Sequence, residues 1–274
     1  MRLVSYRSER GDRAGILRED GIVDCWDGLG GGGESVRGLL ASGRLGELEA
    51  IEGPAQEAEL LVPVPDPEKI ICIGLNYGAH AAEAGLDPPS SPTIFGKYRN
   101  ALVADGATVP LPGASAKVDF EAEIAFVVGS RAKEVDEANA LDHVAGYTLL
   151  NDLSARDLQF ATPQWMAGKV FDGSAPCGPA LVTADEAGPH DAIEFALDLN
   201  GERMQASSTS DLIFGVPALV AELSKLMTLE PGDIVSTGTP SGVGSTRDPR
   251  VWLQPGDEIV ISSPQLGELR TTIG

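Results

Sequence analysis

Histidine and cysteine are scarce in this sequence: its 274 residues include three of each. Cys25, Cys72 and Cys177 form no Cys-x-x-Cys pair, which argues against a zinc ribbon or a disulfide framework and predicts a reducing, cytoplasmic compartment. No apolar run approaches the ~20 residues of a membrane span, and the charge-interrupted stretch from Arg2 to Arg18 has no signal-peptide core. A Gly-x-Ser-x-Gly elbow and a His-Glu-x-x-His helix are both missing, so serine-hydrolase and zinc-protease readings lose ground. The run from Gly28 to Gly33 lacks the Lys-Ser/Thr of a phosphate cradle and reads as a flexible loop. Positive charge is short as well. Twenty basic residues face 41 acidic ones, and the net charge of −21 repels nucleic-acid phosphates and anionic membranes, which are not expected partners.

What is present is ordinary for a globular protein: 42% hydrophobic and 22% charged residues, in a length that suits one large domain or two unequal ones. Residues 1 to about 24 read as short strands broken by turns, and 34 to 60 suit one or two short helices. The proline-rich stretch Leu61 to Pro67 marks a predicted boundary, with a small β-rich N-terminal domain over 1–65 and a second domain over 66–274. The second domain is sheet-dominated, with apolar strand-length runs at Lys69–Gly74, Val118–Val128 and Val144–Leu150. Two Pro-Gly turns, at Pro231-Gly232 and Pro255-Gly256, each launch a strand. Between the strands, Ser210 to Met227 carries apolar residues at helical spacing.

Five segments carry possible chemistry. Strand alternation over Val118–Val128 puts Asp119, Glu121 and Glu123 on one face and Phe120, Ala122, Ile124 and Phe126 on the other. Those carboxylates are either a solvated face or a partly buried cluster that needs a cation. Asp152 ends the apolar strand Val144–Leu150; a helical turn starting there would align Arg156 and Gln159 with it, or make Asp152 a helix cap paired to Arg156. Lys169, in Gly168-Lys169-Val170-Phe171-Asp172, says little alone. His80 and Glu83 stand one helical turn apart, where a carboxylate on one imidazole nitrogen makes the other a better base; an incidental surface pair is the plainer reading. Ser236 to Gly244 is a glycine-rich loop after a strand.

The order of these five segments resembles the fumarylacetoacetate hydrolase family, in its branch of bacterial 2-oxo acid hydrolases, isomerases and decarboxylases. It runs Gly74-Leu75-Asn76-Tyr77 with His80 and Glu83, then Asp119-Phe120-Glu121-Ala122-Glu123, then Asn151-Asp152-Leu153-Ser154-Ala155-Arg156-Asp157, then Gly168-Lys169-Val170-Phe171-Asp172, then Thr237-Gly238-Thr239-Pro240. The resemblance spans roughly residues 66 to 273 and implies an α+β fold with a mixed β-roll catalytic domain. It also implies a divalent cation, Mg²⁺ or Mn²⁺, on Glu121, Glu123 and Asp152, which are the hard oxygen ligands such ions prefer.

Under the same resemblance Lys169 is catalytic, Arg156, Gln159 and Thr239 contact substrate, and His80 with Glu83 activates a water. The expected reaction is hydrolysis of a carbon–carbon bond in an acylpyruvate. Decarboxylation or isomerisation of oxaloacetate-like or hydroxymuconate-type diacids is the alternative, and a silent small-acid binding protein is a third reading. A homodimer is the expected assembly, and residues 77–92 suit a mobile lid. The sequence departs from common relatives at Phe171 to Pro176 and at Gly78, which leaves the substrate's side chain open.

Overall fold

The structure, a computed structural model, describes residues 1–30, 35–83, 85 and 87–274. Part of the glycine run at 28–33 and two positions of the expected lid, Ala84 and Leu86, lie outside the described residues. The chain is sheet-dominated α+β, as its runs of β-branched residues require.

Among the described residues an 11-stranded sheet forms the centre. Its middle strand, Ala122–Val128, is buried throughout and lies antiparallel between Val144–Asn151 and Ile234–Ser236. Beyond Ile234–Ser236 come Ile70–Gly74, in parallel, and Thr93–Lys97. On the other side Ala175–Thr183 accepts Arg2–Ser8, and the N-terminal strands Gly11–Arg18 and Gly21–Asp24 follow in order. The strands of residues 1–24 therefore extend the same sheet that carries the carboxylate strand.

Alternation decides which layer each residue joins. Ile124, Phe126 and Val128 pack against a five-stranded sheet, through Phe195, Leu197, Ile259 and Ile261, and against the helix Val216–Leu226. Ala125 and Val127, of the opposite parity, pack against Leu39, Leu40, Leu48, Val62 and Val64. The proline-rich stretch is thus partly core: Val64 is 1% exposed, because its alternate apolar side chains cover that face of the sheet. We propose 65/66 as the start of the site-bearing part, since among the described residues none that lines the cavity beside Glu121 and Glu123 precedes Ile73.

The expected helix over Ser210–Met227 is shorter, Val216–Leu226, with Pro217 in its first turn, where no backbone N–H is needed. A turn of 3₁₀ helix at Thr209–Asp211 precedes it. The segment after residue 34 forms the helix Val36–Ser42 and a 3₁₀ stretch, Leu45–Ala50. No helix among the described residues is long and apolar enough to cross a membrane.

Candidate active site and metal centre

Two backbone contacts build the carboxylate cluster. The chain leaves a short ribbon, Val118–Asp119 paired with Ser154–Ala155, and enters the large sheet at Ala122. Across that junction the Asp152 N–H donates to the Glu121 carbonyl at 2.9 Å, and the Glu121 N–H donates to Asn151 Oδ1 at 3.0 Å. Carboxylate oxygens of Glu121, Glu123 and Asp152 consequently lie within 4.8 Å of one another, all buried. A solvated strand face is overturned: Asp119 and Asp152 are fully buried and Glu123 is 2% exposed.

Buried like charges require counter-charge. Lys169 Nζ lies 2.7 Å from both Glu121 Oε2 and Asp152 Oδ2, and Arg156 Nη1 lies 2.6 Å from Glu121 Oε1. Burial alone would raise the Glu121 carboxyl, but Arg156 and Lys169 outweigh it and hold it down at about 2. Glu123 goes the other way. Burial, then the charges of Asp152 and Glu121, push it well above the usual carboxylate range, although Ser236 Oγ and the Gly238 N–H donate to its Oε2. For Lys169 burial opposes the charged form, yet Asp152 and Glu121 prevail and raise its proton affinity.

The second feature differs from expectation. No helix starts at Asp152; the chain makes the ribbon Ser154–Ala155 first, and the helical turn is Arg156–Gln159, with Ala155 at its N-cap position. Asp152 is therefore not a helix cap, and the ion pair assigned to it goes elsewhere: Arg156 Nη2 is 2.8 Å from Asp119 Oδ2, while Nη1 also donates to Gln159 Oε1 at 3.0 Å. Asp119 in turn accepts the N–H groups of Gly244 and Ser245 at 2.7 and 3.0 Å, closing the loop after Thr239 onto the site. Thr239 Oγ1 donates to the Ala122 carbonyl at 2.9 Å and accepts from Gln205 Nε2 at 2.9 Å.

The helix Gly78–Glu83 carries His80, 8% exposed rather than on an open surface, with Nδ1 3.5 Å from Glu83 Oε2. The Gly242 N–H holds the Glu83 carboxylate at 3.1 Å. The Gly74–Tyr77 motif is a brace. Asn76 Nδ2 donates to the carbonyls of Phe214 and Thr237, and its Oδ1 accepts the Phe214 N–H, tying three loops together. His143 and His190 do not line the cavity. All three cysteines are free and buried; burial lifts Cys25 and Cys177 to about 12 and, aided by Asp152 and Glu123, carries Cys72 well above its ordinary value. None is a thiolate nucleophile.

Sequence reasoning missed Lys97. Fully buried at the end of Thr93–Lys97, it places Nζ 2.7 Å from Asp152 Oδ1 and donates to the Lys169 carbonyl. Its only signal was rarity, as one of six lysines ending an apolar strand.

These groups meet at a cavity of about 420 Å³ whose wall includes His80, Glu121, Glu123, Arg156, Gln159, Lys169 and Thr239; Asp152 is not itself in that wall. The cluster fits a divalent cation. Three hard oxygen donors converge within 4.8 Å of one another, and the high proton affinity of Glu123 marks a deficit of positive charge beside it even with Lys97 and Lys169 on Asp152.

A sheet-rich scaffold holding buried carboxylates, buried cations and a His–Glu pair around one cavity has the make-up of an enzyme's active site. The profile described as "Fumarylacetoacetate (FAA) hydrolase C-terminal" matches residues 69–274, and the chain belongs to that family. It is 43% identical over 216 residues to "Oxaloacetate tautomerase fahd2, mitochondrial" of Xenopus laevis, covering 78% of this chain and 68% of that protein. A fumarylacetoacetate hydrolase from Exiguobacterium antarcticum has the same fold, with a TM-score of 0.88 at 30% identity over 100% of this chain and 99% of that one. A fumarylpyruvate hydrolase from Pseudomonas aeruginosa, solved with Mn²⁺ and pyruvate, superposes with a TM-score of 0.70 at 32% identity over 80% of this chain and 92% of that one.

Proposed function

We propose that this enzyme interconverts the enol and keto forms of a 2-oxo dicarboxylic acid, with oxaloacetate the first compound to test. The observation that carries this reading is the meeting of the His80–Glu83 pair with Glu121, Glu123 and Lys169 around a single cavity. Likeness to the Xenopus tautomerase supports it and moves carbon–carbon hydrolysis to second place.

Glu121, Glu123 and Asp152 would hold Mg²⁺ or Mn²⁺, which lowers the cost of negative charge on the substrate's 2-oxo oxygen. Lys169 adds a fixed positive charge beside the same carboxylates. His80 takes a proton from the carbon next to the 2-oxo group. The electron pair of that C–H bond becomes the enol C=C bond, the former carbonyl oxygen takes up a proton from solvent, and His80 returns its proton to solvent; ketonisation runs the same steps in reverse. Glu83 faces Nδ1, which leaves Nε2 for the substrate, and Gly242 fixes Glu83. Arg156 and Gln159, linked to each other, and Thr239, anchored through its hydroxyl, present polar groups to the substrate from fixed positions.

Decay of the ultraviolet enol band of oxaloacetate tests this, with magnesium present and after chelation. Acceleration beyond what buffer and magnesium achieve is expected, and its absence would sink the reading. Hydrolysis of a 2,4-dioxo acid remains the second reading because of the Pseudomonas neighbour, and pyruvate release from an acylpyruvate decides it. We further propose a homodimer in a reducing cytoplasm. Three free, buried cysteines fit that compartment, and light scattering at twice the 28.5 kDa chain mass checks the assembly.

A further inference from the structure

The cavity has a part that the proposed chemistry leaves unused. Its wall contains Glu121, Glu123, Lys169 and His80, the groups assigned to the head of a 2-oxo acid. The wall also includes Phe95, Phe160, Trp165 and Trp252, and about 420 Å³ lies in the range of pockets for ligands much larger than a 2-oxo acid head.

The same wall contains four Lys or Arg residues. Two are committed: Arg156 to Asp119 and Glu121, and Lys169 to Glu121 and Asp152. The other two, Lys117 and Arg250, are exposed, and among the described residues neither side chain has a carboxylate within ion-pairing distance. Lys117 is the only one of the six lysines of which this is true. Arg18, Arg99 and Arg247 also make no ion pair among the described residues, but of these unpaired cations only Lys117 and Arg250 line the cavity. The remaining carboxylate of that wall, Asp157, is turned to Ser115 Oγ and to the backbone N–H groups of Ala116 and Leu158. The cavity thus joins an anion-gripping head, an aromatic stretch and two free cations.

We infer that Lys117 and Arg250 are specificity-determining residues that receive a second, distal carboxylate of the substrate, with its intervening carbons against Trp252 and Phe160. The inference rests on the proposed 2-oxo acid chemistry for the head group. An anion held there meets two exposed cations, so each contributes modestly and is sensitive to salt.

The test is calorimetric binding, with magnesium present, of two acids already at their keto–enol equilibrium, so that no net turnover accompanies binding, and differing only at the far end: 2-oxohexanedioate and 2-oxohexanoate. Oxalate reports the head-group site alone. The wild-type protein is expected to bind the diacid about tenfold tighter than the monoacid, and this preference should shrink at high salt. In the double variant Lys117→Gln/Arg250→Gln the preference should vanish, while affinity for 2-oxohexanoate and oxalate stays within about twofold, which also reports a folded site. Equal binding of the two acids by wild type, or a preference that survives in the double variant, overturns the assignment while oxalate binding leaves the head-group chemistry standing. Failure of all three ligands to bind overturns both.

Discussion

Replacing Glu123 with Gln removes one charge and keeps the side chain's shape, so it separates holding a cation from filling space. Carboxylate oxygens of the three acids lie within 4.8 Å of one another. At an effective dielectric of ~20, a like-charged pair at that separation costs about 3.5 kcal/mol. Glu123 faces two such neighbours, and burial adds to them, so in the metal-free protein it tends to keep its proton. Cation binding has to release that proton.

At a magnesium concentration 100 times Kd, binding stabilises the folded state by about 2.7 kcal/mol. A chain of 274 residues unfolds with an entropy of about 0.6 kcal/mol/K, so Tm should rise by about 5 °C. Glu123→Gln, with two charged ligands in place of three, should show less than about 1 °C at the same concentration. The wild-type shift should also shrink as pH falls, because protons compete for Glu123, whose carboxyl is held well above the usual carboxylate range, while the variant's small shift changes less. Thermal melts of chelator-treated protein across a magnesium titration read both effects. A full shift retained by Glu123→Gln would refute the ligand assignment.

His80→Ala should lose about 10²- to 10⁴-fold in enol–keto turnover, the range for a general base, with the magnesium-induced Tm shift intact; a loss within about twofold would remove His80 from the chemistry. Asp24→Asn should destabilise by about 3–5 kcal/mol, because buried Arg13 loses the bidentate partner it holds at 2.5 Å, and urea titration measures it. Burial would raise the Asp24 carboxyl, but Arg13 and Tyr6 hold it down at about 2. Its stabilisation is therefore present above the unfolded value near 4 and lost as pH falls toward 2, so wild type should show an acid-unfolding step that the Asn variant lacks; identical acid profiles would refute the coupling. Gly238→Ala should lower Tm by about 2–5 °C and weaken magnesium binding, since φ is +101° there, an added Cβ would sit 2.9 Å from the Ile73 carbonyl, and the displaced N–H is one that Glu123 accepts; a Tm and magnesium affinity both equal to wild type would contradict this.

Features set by local covalent geometry were legible in the sequence. Strand alternation alone places Glu121 and Glu123 on one face with Ala125 and Val127, opposite Ile124 and Phe126, and the two core clusters keep that division. Helical spacing alone brings His80 within 3.5 Å of Glu83, and the Pro-Gly turns lead into Ile234–Ser236 and Glu258–Ser263. Strand order is a different matter, because it depends on which surfaces find each other across long stretches of chain. It carries Arg2–Ser8 to the edge of Ala175–Thr183, so that the N-terminal strands extend the sheet that bears Glu123 instead of standing apart. The same order brings Lys97 to Asp152 across 55 residues, and the ribbon beside the sheet turns Arg156 to Asp119 instead of Asp152. Nothing local distinguishes Lys97 from a surface lysine. Only burial beside three carboxylates gives it a partner, since a buried charge is tolerated where opposite charge already waits.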